Sequence, residues 1–299
     1  VDKFLISCIR SVELGVTDIA SAEAFYTSVW GLELIAREGD KVFLAATGDD
    51  ICVLELRASH RTELRKTTFR AASDEAFAEL HRRVSASGAV MLRDIEPVSG
   101  PCGGTHFVFR EPQGTVIEIV IGDMRKAATS DRTRAYRLSH VNFNSTNVAD
   151  LVDFYRDVLG FDLTDRSGMM AFLRCNSDHH AVVLADADVN GLNHIAFMMP
   201  DWEGVMLGAG RMRDNGYEIG WGVGRHGPGD NVFAYFVAPD GAVIEYTAEV
   251  LQVDESYRVG SPKDWTWPAG RTDQWGIAPA KSDACKAAQL TLTFDEARK

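Results

Sequence analysis

The chain has 299 residues, with 31 Lys+Arg against 43 Asp+Glu, a formal net charge of −12 and 45% hydrophobic residues. That length suggests two domains, and the apolar content is enough for packed cores, which excludes a disordered chain. The acidic balance excludes nucleic acid or an anionic membrane surface as the main partner, and no apolar stretch approaches the ~20 residues that cross a bilayer. The apolar run near the start is too short for a secretory signal. Five scattered cysteines without a Cys-x-x-Cys pair fit a reducing compartment. A cytoplasmic protein is the expectation.

In chain order, a strand around Val12-Glu13-Leu14 precedes a helix through Phe25 and Tyr26 that stops at Gly31. Phe69 leads into a second helical stretch ending at Gly88, and Glu111-Pro112-Gln113-Gly114 turns into a strand through Glu118. The polar segment 123–136 reads as a linker. The same order then returns about 128 residues later. Val141-Asn142-Phe143 answers the first strand. A helix follows, with Val148, Leu151, Val152, Tyr155, Val158 and Leu159 at helical spacing and Gly160 at its C-terminus. Next come strands at 170–174 and 181–185, a strand at 194–199, a helix at 202–214, and strands at 231–237 and 242–247 joined by Pro239-Asp240-Gly241. Each copy divides into two similar halves, so the unit is βαβββ, four times over. The expected fold is α+β: four βαβββ modules paired into two similar domains, each a curved, barrel-like mixed sheet with outer helices. The expected segments are 1–130, non-catalytic; 131–255, catalytic; and 256–299, a tail laid over the second domain.

Five of the eight histidines fall in the second copy. His140 and His194 each begin the first strand of a module, and Glu245 lies within an apolar last strand. A carboxylate there is costly unless it is paired or binds a metal. Two imidazoles and one carboxylate form the facial triad of non-haem iron oxygenases. A lone strand histidine is more often a core or edge residue, but the equivalent first-copy positions are Ser11, Lys66 and Glu118. A packing role would leave apolar residues there, so the first copy reads as a degenerate site. His180, His226 and Tyr235 form a second set suited to proton management. Tyr235 lies ten residues before Glu245, which places both on one sheet face. His179, by alternation, points the other way, to the surface.

These residues resemble a two-domain extradiol ring-cleavage dioxygenase of the vicinal oxygen chelate superfamily. The resemblance is strongest over Gly224, His226, Tyr235, Ala238, Pro239, Gly241 and Glu245, and in the His179-His180 pair. Ala234 is smaller than the family's usual aliphatic, which would widen a wall. The resemblance implies His140, His194 and Glu245 as ligands to Fe(II), with Mn(II) as a variation. It implies His180 as an acid–base residue near O2, and His226 and Tyr235 as hydrogen-bond partners of a catechol-type diol. It also implies Asn142 as an active-site amide. Phe172, Trp221, Met198 and the tail's Trp265, Trp267 and Trp275 are candidates for an aromatic pocket, and Arg271 for a substrate carboxylate. The implied partners are a small aromatic diol and O2, in a homo-oligomer. A glyoxalase-type isomerase, a thiol transferase or a non-enzymatic binder on the same scaffold are the alternatives.

Overall fold

Asp18, Ser73, Asn147 and Asp201 each stand one residue before a helix, and each side chain accepts a hydrogen bond from the backbone amide three residues on. Such a cap satisfies an otherwise orphaned helix-start donor and contributes about 1 kcal/mol. It recurs once in every module. The computed structural model describes residues 3–294; residues 1–2 and 295–299, the outer ends of the first and last expected segments, lie outside the described residues.

The first module comprises β1 (Ile6–Val16), α1 (Ile19–Ala24, continued by a π turn at Phe25–Val29), β2 (Glu33–Glu38), β3 (Lys41–Ala45) and β4 (Leu54–Ala58). The second has β5 (Glu63–Ala71), α2 (Asp74–Ala86), β6 (Val90–Pro97), β7 (Thr105–Arg110) and β8 (Val116–Ile121). The third has β9 (Arg137–Ser145), α3 (Val148–Asp157), β10 (Asp162–Arg166), β11 (Met170–Arg174) and β12 (Val182–Asp186). The fourth has β13 (Gly191–Met198), α4 (Trp202–Asp214), β14 (Trp221–Arg225), β15 (Val232–Val237) and β16 (Val243–Ala248), and the tail adds α5 (Asp283–Ala288) and β17 (Leu292–Thr293).

The two sheets run β2-β3-β4-β1-β5-β8-β7-β6 and β10-β11-β12-β9-β13-β16-β15-β14, with β17 joining β13. In each, the first strands of the two modules pair antiparallel at the centre and are flanked by parallel partners. The apolar core is continuous between the sheets. Trp30, at the end of the first module's helical segment, stacks on Tyr246 of β16 with centroids 3.6 Å apart, and the Tyr246 hydroxyl donates to the Trp30 carbonyl. Phe69 packs edge-on against Phe161. Among the described residues no helix is long and apolar enough to cross a membrane. All five cysteines are free thiols, four of them buried.

Four expectations change. β10 and β14 were not legible as strands, because Asp162-Leu163-Thr164-Asp165-Arg166 is polar and Trp221-Gly222-Val223-Gly224-Arg225 is glycine-rich. Both are sheet edges, where one neighbouring strand supplies the pairing and propensity matters least. His179 is not on the surface; it is fully buried. Alternation does not apply to it because 178–180 precede β12, and the His179 amide donates instead to the Leu251 carbonyl. Ala234 faces the apolar core, opposite to Tyr235, and widens no cavity wall. Met198 and Trp275 likewise do not reach the cavity described next.

Candidate metal centre

β9 pairs antiparallel with β13, and β13 pairs parallel with β16. Ala196 on β13 is the register partner of both His140 and Glu245, so these three side chains form one row on one face. His194, two residues before Ala196, shares that face. The small methyl of Ala196 leaves the row open between its larger neighbours. His140 Nε2 lies 3.3 Å from His194 Nε2 and 3.3 Å from Glu245 Oε2, and His194 Nε2 lies 3.1 Å from Glu245 Oε2.

Hydrogen bonds set the protonation of this face. Asn193 Oδ1 accepts from Gln289 Nε2 at 2.7 Å and lies 2.9 Å from His194 Nδ1. An amide oxygen can only accept, so His194 carries its hydrogen on Nδ1 and presents a lone pair at Nε2. Ser139 Oγ lies 3.1 Å from His140 Nδ1; its hydroxyl can accept from that nitrogen and so is compatible with the same tautomer. Glu245 has no solvent exposure, and neither of its oxygens has a hydrogen-bond donor. Burial opposes its ionisation, but proton sharing with the facing His140 and His194 in the metal-free site outweighs that and holds the carboxyl well below the usual range. A buried carboxylate facing two imidazole lone pairs is a charge that a divalent cation answers. Two nitrogens and one oxygen on one face suit Fe(II) or Mn(II), with further positions open.

The first domain shows the contrast. Lys66 stands at the position equivalent to His194, and its Nζ lies 2.9 Å from Glu118, the equivalent of Glu245. Thr68 donates to the same carboxylate at 2.6 Å, and His106 contacts its other oxygen. Glu118 is thus saturated by side chains and a fixed internal cation, whereas Glu245 is not.

Around the second-domain face is a cavity of about 390 Å³ lined by His140, His180, His194, His226 and Tyr235, with Asn142, Phe172 and Trp221 on its walls. Asn142 Oδ1 is buried without a donor and faces this site from β9. Tyr235 on β15 pairs directly with Glu245, as its even spacing requires. The Tyr235 hydroxyl lies 3.1 Å from His226 Nε2, and burial holds its pKa well above 10. His226 stacks on Phe233 with centroids 3.9 Å apart. The His180 ring packs edge-on to His140, 4.4 Å away. Gly229 closes over His180 with φ +82°, and a Cβ there would meet His180 Cε1 at 2.7 Å, so only glycine fits. Arg271, like Met198 and Trp275, is absent from the cavity lining; its guanidinium packs over Gly276.

Several site residues were not foreseen. Asp165 Oδ2 lies 2.8 Å from His179 Nε2 and also accepts from the Tyr257 hydroxyl, and His179 Nδ1 lies 3.0 Å from His180 Nδ1. The carboxylate makes His179 a donor at Nε2; in the neutral tautomer its Nδ1 then accepts from His180 Nδ1, which leaves the His180 Nε2 lone pair free. Asn193, Gln289 and Lys281 were also missed. The polar residue directly before each candidate ligand histidine, Ser139 and Asn193, was the available signal.

Burial pushes His194 down to about 4 and His226 down to about 3, against 6.5 for an ordinary histidine. Between those values the unfolded chain binds more protons than the folded one, so stability rises with pH. The metal-free protein therefore loses stability as pH falls from about 6.5 toward about 4. Thermal midpoints measured at neutral and mildly acidic pH check this; an unchanged or higher midpoint in acid contradicts it.

The paired mixed sheets and the His-His-Glu face define a two-domain metal-dependent enzyme scaffold with one intact centre. The chain belongs to the Glyoxalase/Bleomycin resistance protein/Dioxygenase superfamily, whose profile matches residues 9–119 and 137–246. It is 31% identical over 281 residues to Metapyrocatechase 2 of Cupriavidus necator, covering 86% of this chain and 83% of that protein. It is 25% identical to the manganese-dependent 2,3-dihydroxybiphenyl 1,2-dioxygenase of Geobacillus genomosp. 3, over 72% of this chain and 76% of the other. Among solved structures, a Mn(II)-bound glyoxalase from Novosphingobium aromaticivorans superposes with a TM-score of 0.88 at 32% identity, covering 94% of each chain.

Proposed function

We propose that this protein is an extradiol dioxygenase that opens a catechol-type ring beside its hydroxyl pair with O2, giving a muconic semialdehyde-type product. The observation that carries this is the convergence of His180, His226 and Tyr235 on the His140–His194–Glu245 face within one aromatic-walled cavity. His140, His194 and Glu245 would hold Fe(II) or Mn(II), which supplies adjacent sites for the diol and O2 and lowers the diol's pKa. Tyr235 stays protonated and donates to a diol oxygen. His226, neutral because it is buried, takes up the proton that the diol loses on binding. Burial, then the neighbouring His140, also keeps His180 neutral, so its Nε2 can hold a proton and return it to oxygen as the ring opens. Asn142 faces the diol from β9, and Phe172 and Trp221 pack against the ring.

Asp165 and His179 orient His180 in this scheme. Asp165→Asn is expected to slow turnover at unchanged metal content, measured by steady-state rates alongside metal analysis; an unaffected rate contradicts the orienting role. On this reading the domain expected at 1–130 is non-catalytic, that at 131–255 carries the metal face, and the tail expected from 256, as far as the described residue 294, lines the cavity with Lys281 and Gln289. Free thiols fit the cytoplasm. The exposed apolar residues Val90, Leu92 and Ile95 on edge strand β6 fit a homo-oligomer.

The 32% identity to a Mn(II)-bound glyoxalase favours a metal-dependent isomerase as the second possibility. Isomerisation has no use for the three additional proton-active groups. Anaerobic loading with Fe(II), then addition of catechols and air, separates the two: a yellow ring-fission product supports cleavage, and its absence across a diol panel refutes it.

A further inference from the structure

We infer that the substrate ring carries a carboxylate and that Lys281, supplied by the tail, receives it; this rests on the ring-cleavage assignment above. Lys281 is the one lysine or arginine lining the cavity among the described residues, and no aspartate or glutamate lines it. Its Nζ donates to Gln289 Oε1 at 2.9 Å and lies 4.5 Å over the Trp221 ring and 5.5 Å over the Tyr235 ring. The aromatic faces compensate part of the charge. One acceptor leaves ammonium donors over for a ligand, and no described carboxylate comes within ion-pair distance. Glu245, on β16, is turned toward His140 and His194 and acts on Lys281 only as a longer-range charge, outside ion-pair distance. Cys285 is no counter-charge, because burial raises its thiol pKa.

A cation kept beside an aromatic cavity without an ion-paired carboxylate, in a chain of net charge −12, is a site for a ligand's negative charge. A flexible ammonium suits one carboxylate oxygen on a short side group and sets no planar geometry. The competing role is structural: through Gln289 and Asn193, Lys281 could hold the His194 ring.

The test compares wild type, Lys281→Met and Lys281→Arg as full-length, metal-loaded protein. Steady-state cleavage is measured with a dihydroxyphenylacetate and with methylcatechol. Binding of phenylacetate and of its neutral analogue benzyl alcohol is followed by tryptophan fluorescence, and Mn(II) affinity is measured in parallel. Wild type is expected to prefer the carboxylated diol. Lys281→Met should cut that preference by about 10- to 100-fold and weaken phenylacetate binding by a similar factor. Lys281→Arg should restore most of both. Equal losses on the two diols, an unchanged preference, or a fall in Mn(II) affinity that accounts for the loss would overturn the inference. If wild type cleaves neither diol but phenylacetate binding still requires Lys281, the ring-cleavage assignment fails and the anion site stands. Absence of both cleavage and phenylacetate binding refutes the two together.

Discussion

Glu245→Gln protein is expected to fold, to lose Fe(II) and Mn(II) binding, and to turn over diols at background rate. The carboxylate is fully buried, has no hydrogen-bond donor, and faces two imidazole nitrogens within 3.3 Å. An amide of the same shape keeps the packing of β16 but presents no negative charge to a cation. In wild type, metal at 100 times its dissociation constant stabilises the fold by about 2.7 kcal/mol. For a chain of this size unfolding as one unit, that raises the thermal midpoint by roughly 4 °C. In the variant the rise should vanish while the metal-free midpoint stays close to wild type. Wild-type metal affinity in Glu245→Gln would exclude Glu245 as a ligand. First-domain Glu118→Gln provides the contrast, since Glu118 is already paired with Lys66 and should not alter metal content.

His180→Ala is expected to separate binding from chemistry. His180 packs on His140 and is tied through Nδ1 to His179, and it is not one of the three groups that converge as ligands. Metal content and anaerobic diol binding should therefore persist, while kcat falls by roughly 10²–10⁴, the usual worth of a positioned acid–base group. Single-turnover measurements, with metal analysis on the same sample, check this. Undiminished ring cleavage would remove His180 from the mechanism.

The candidate ligands stood out in the sequence because the chain repeats. Ser11, Lys66 and Glu118 show that the equivalent first-copy positions are polar where a packing role would leave apolar residues, and two-residue periodicity on paired strands does the rest. Tyr235 was placed by the same arithmetic. The edge strands β10 and β14 were hidden, because an edge needs little intrinsic propensity once a neighbour offers hydrogen bonds. His179 was misplaced because strand alternation was extended into a bend whose amide bonds elsewhere. The tail was the hardest. Lys281 and Gln289 reach the site by folding back over the second sheet, and no spacing encodes that return. Arg271, ten residues from Lys281 in the same aperiodic segment, could not be told from it without coordinates.

The central claim, oxygen-dependent ring opening at the second-domain centre, is tested most directly with isotope-labelled O2. Metal-loaded protein is supplied with a catechol and labelled oxygen, and the product is analysed by mass spectrometry beside a record of oxygen uptake. One O2 consumed per diol, with label in the ring-opened product, is the predicted result. No oxygen uptake with any diol, together with metal-dependent isomerisation of a hemithioacetal by the same protein, would contradict it.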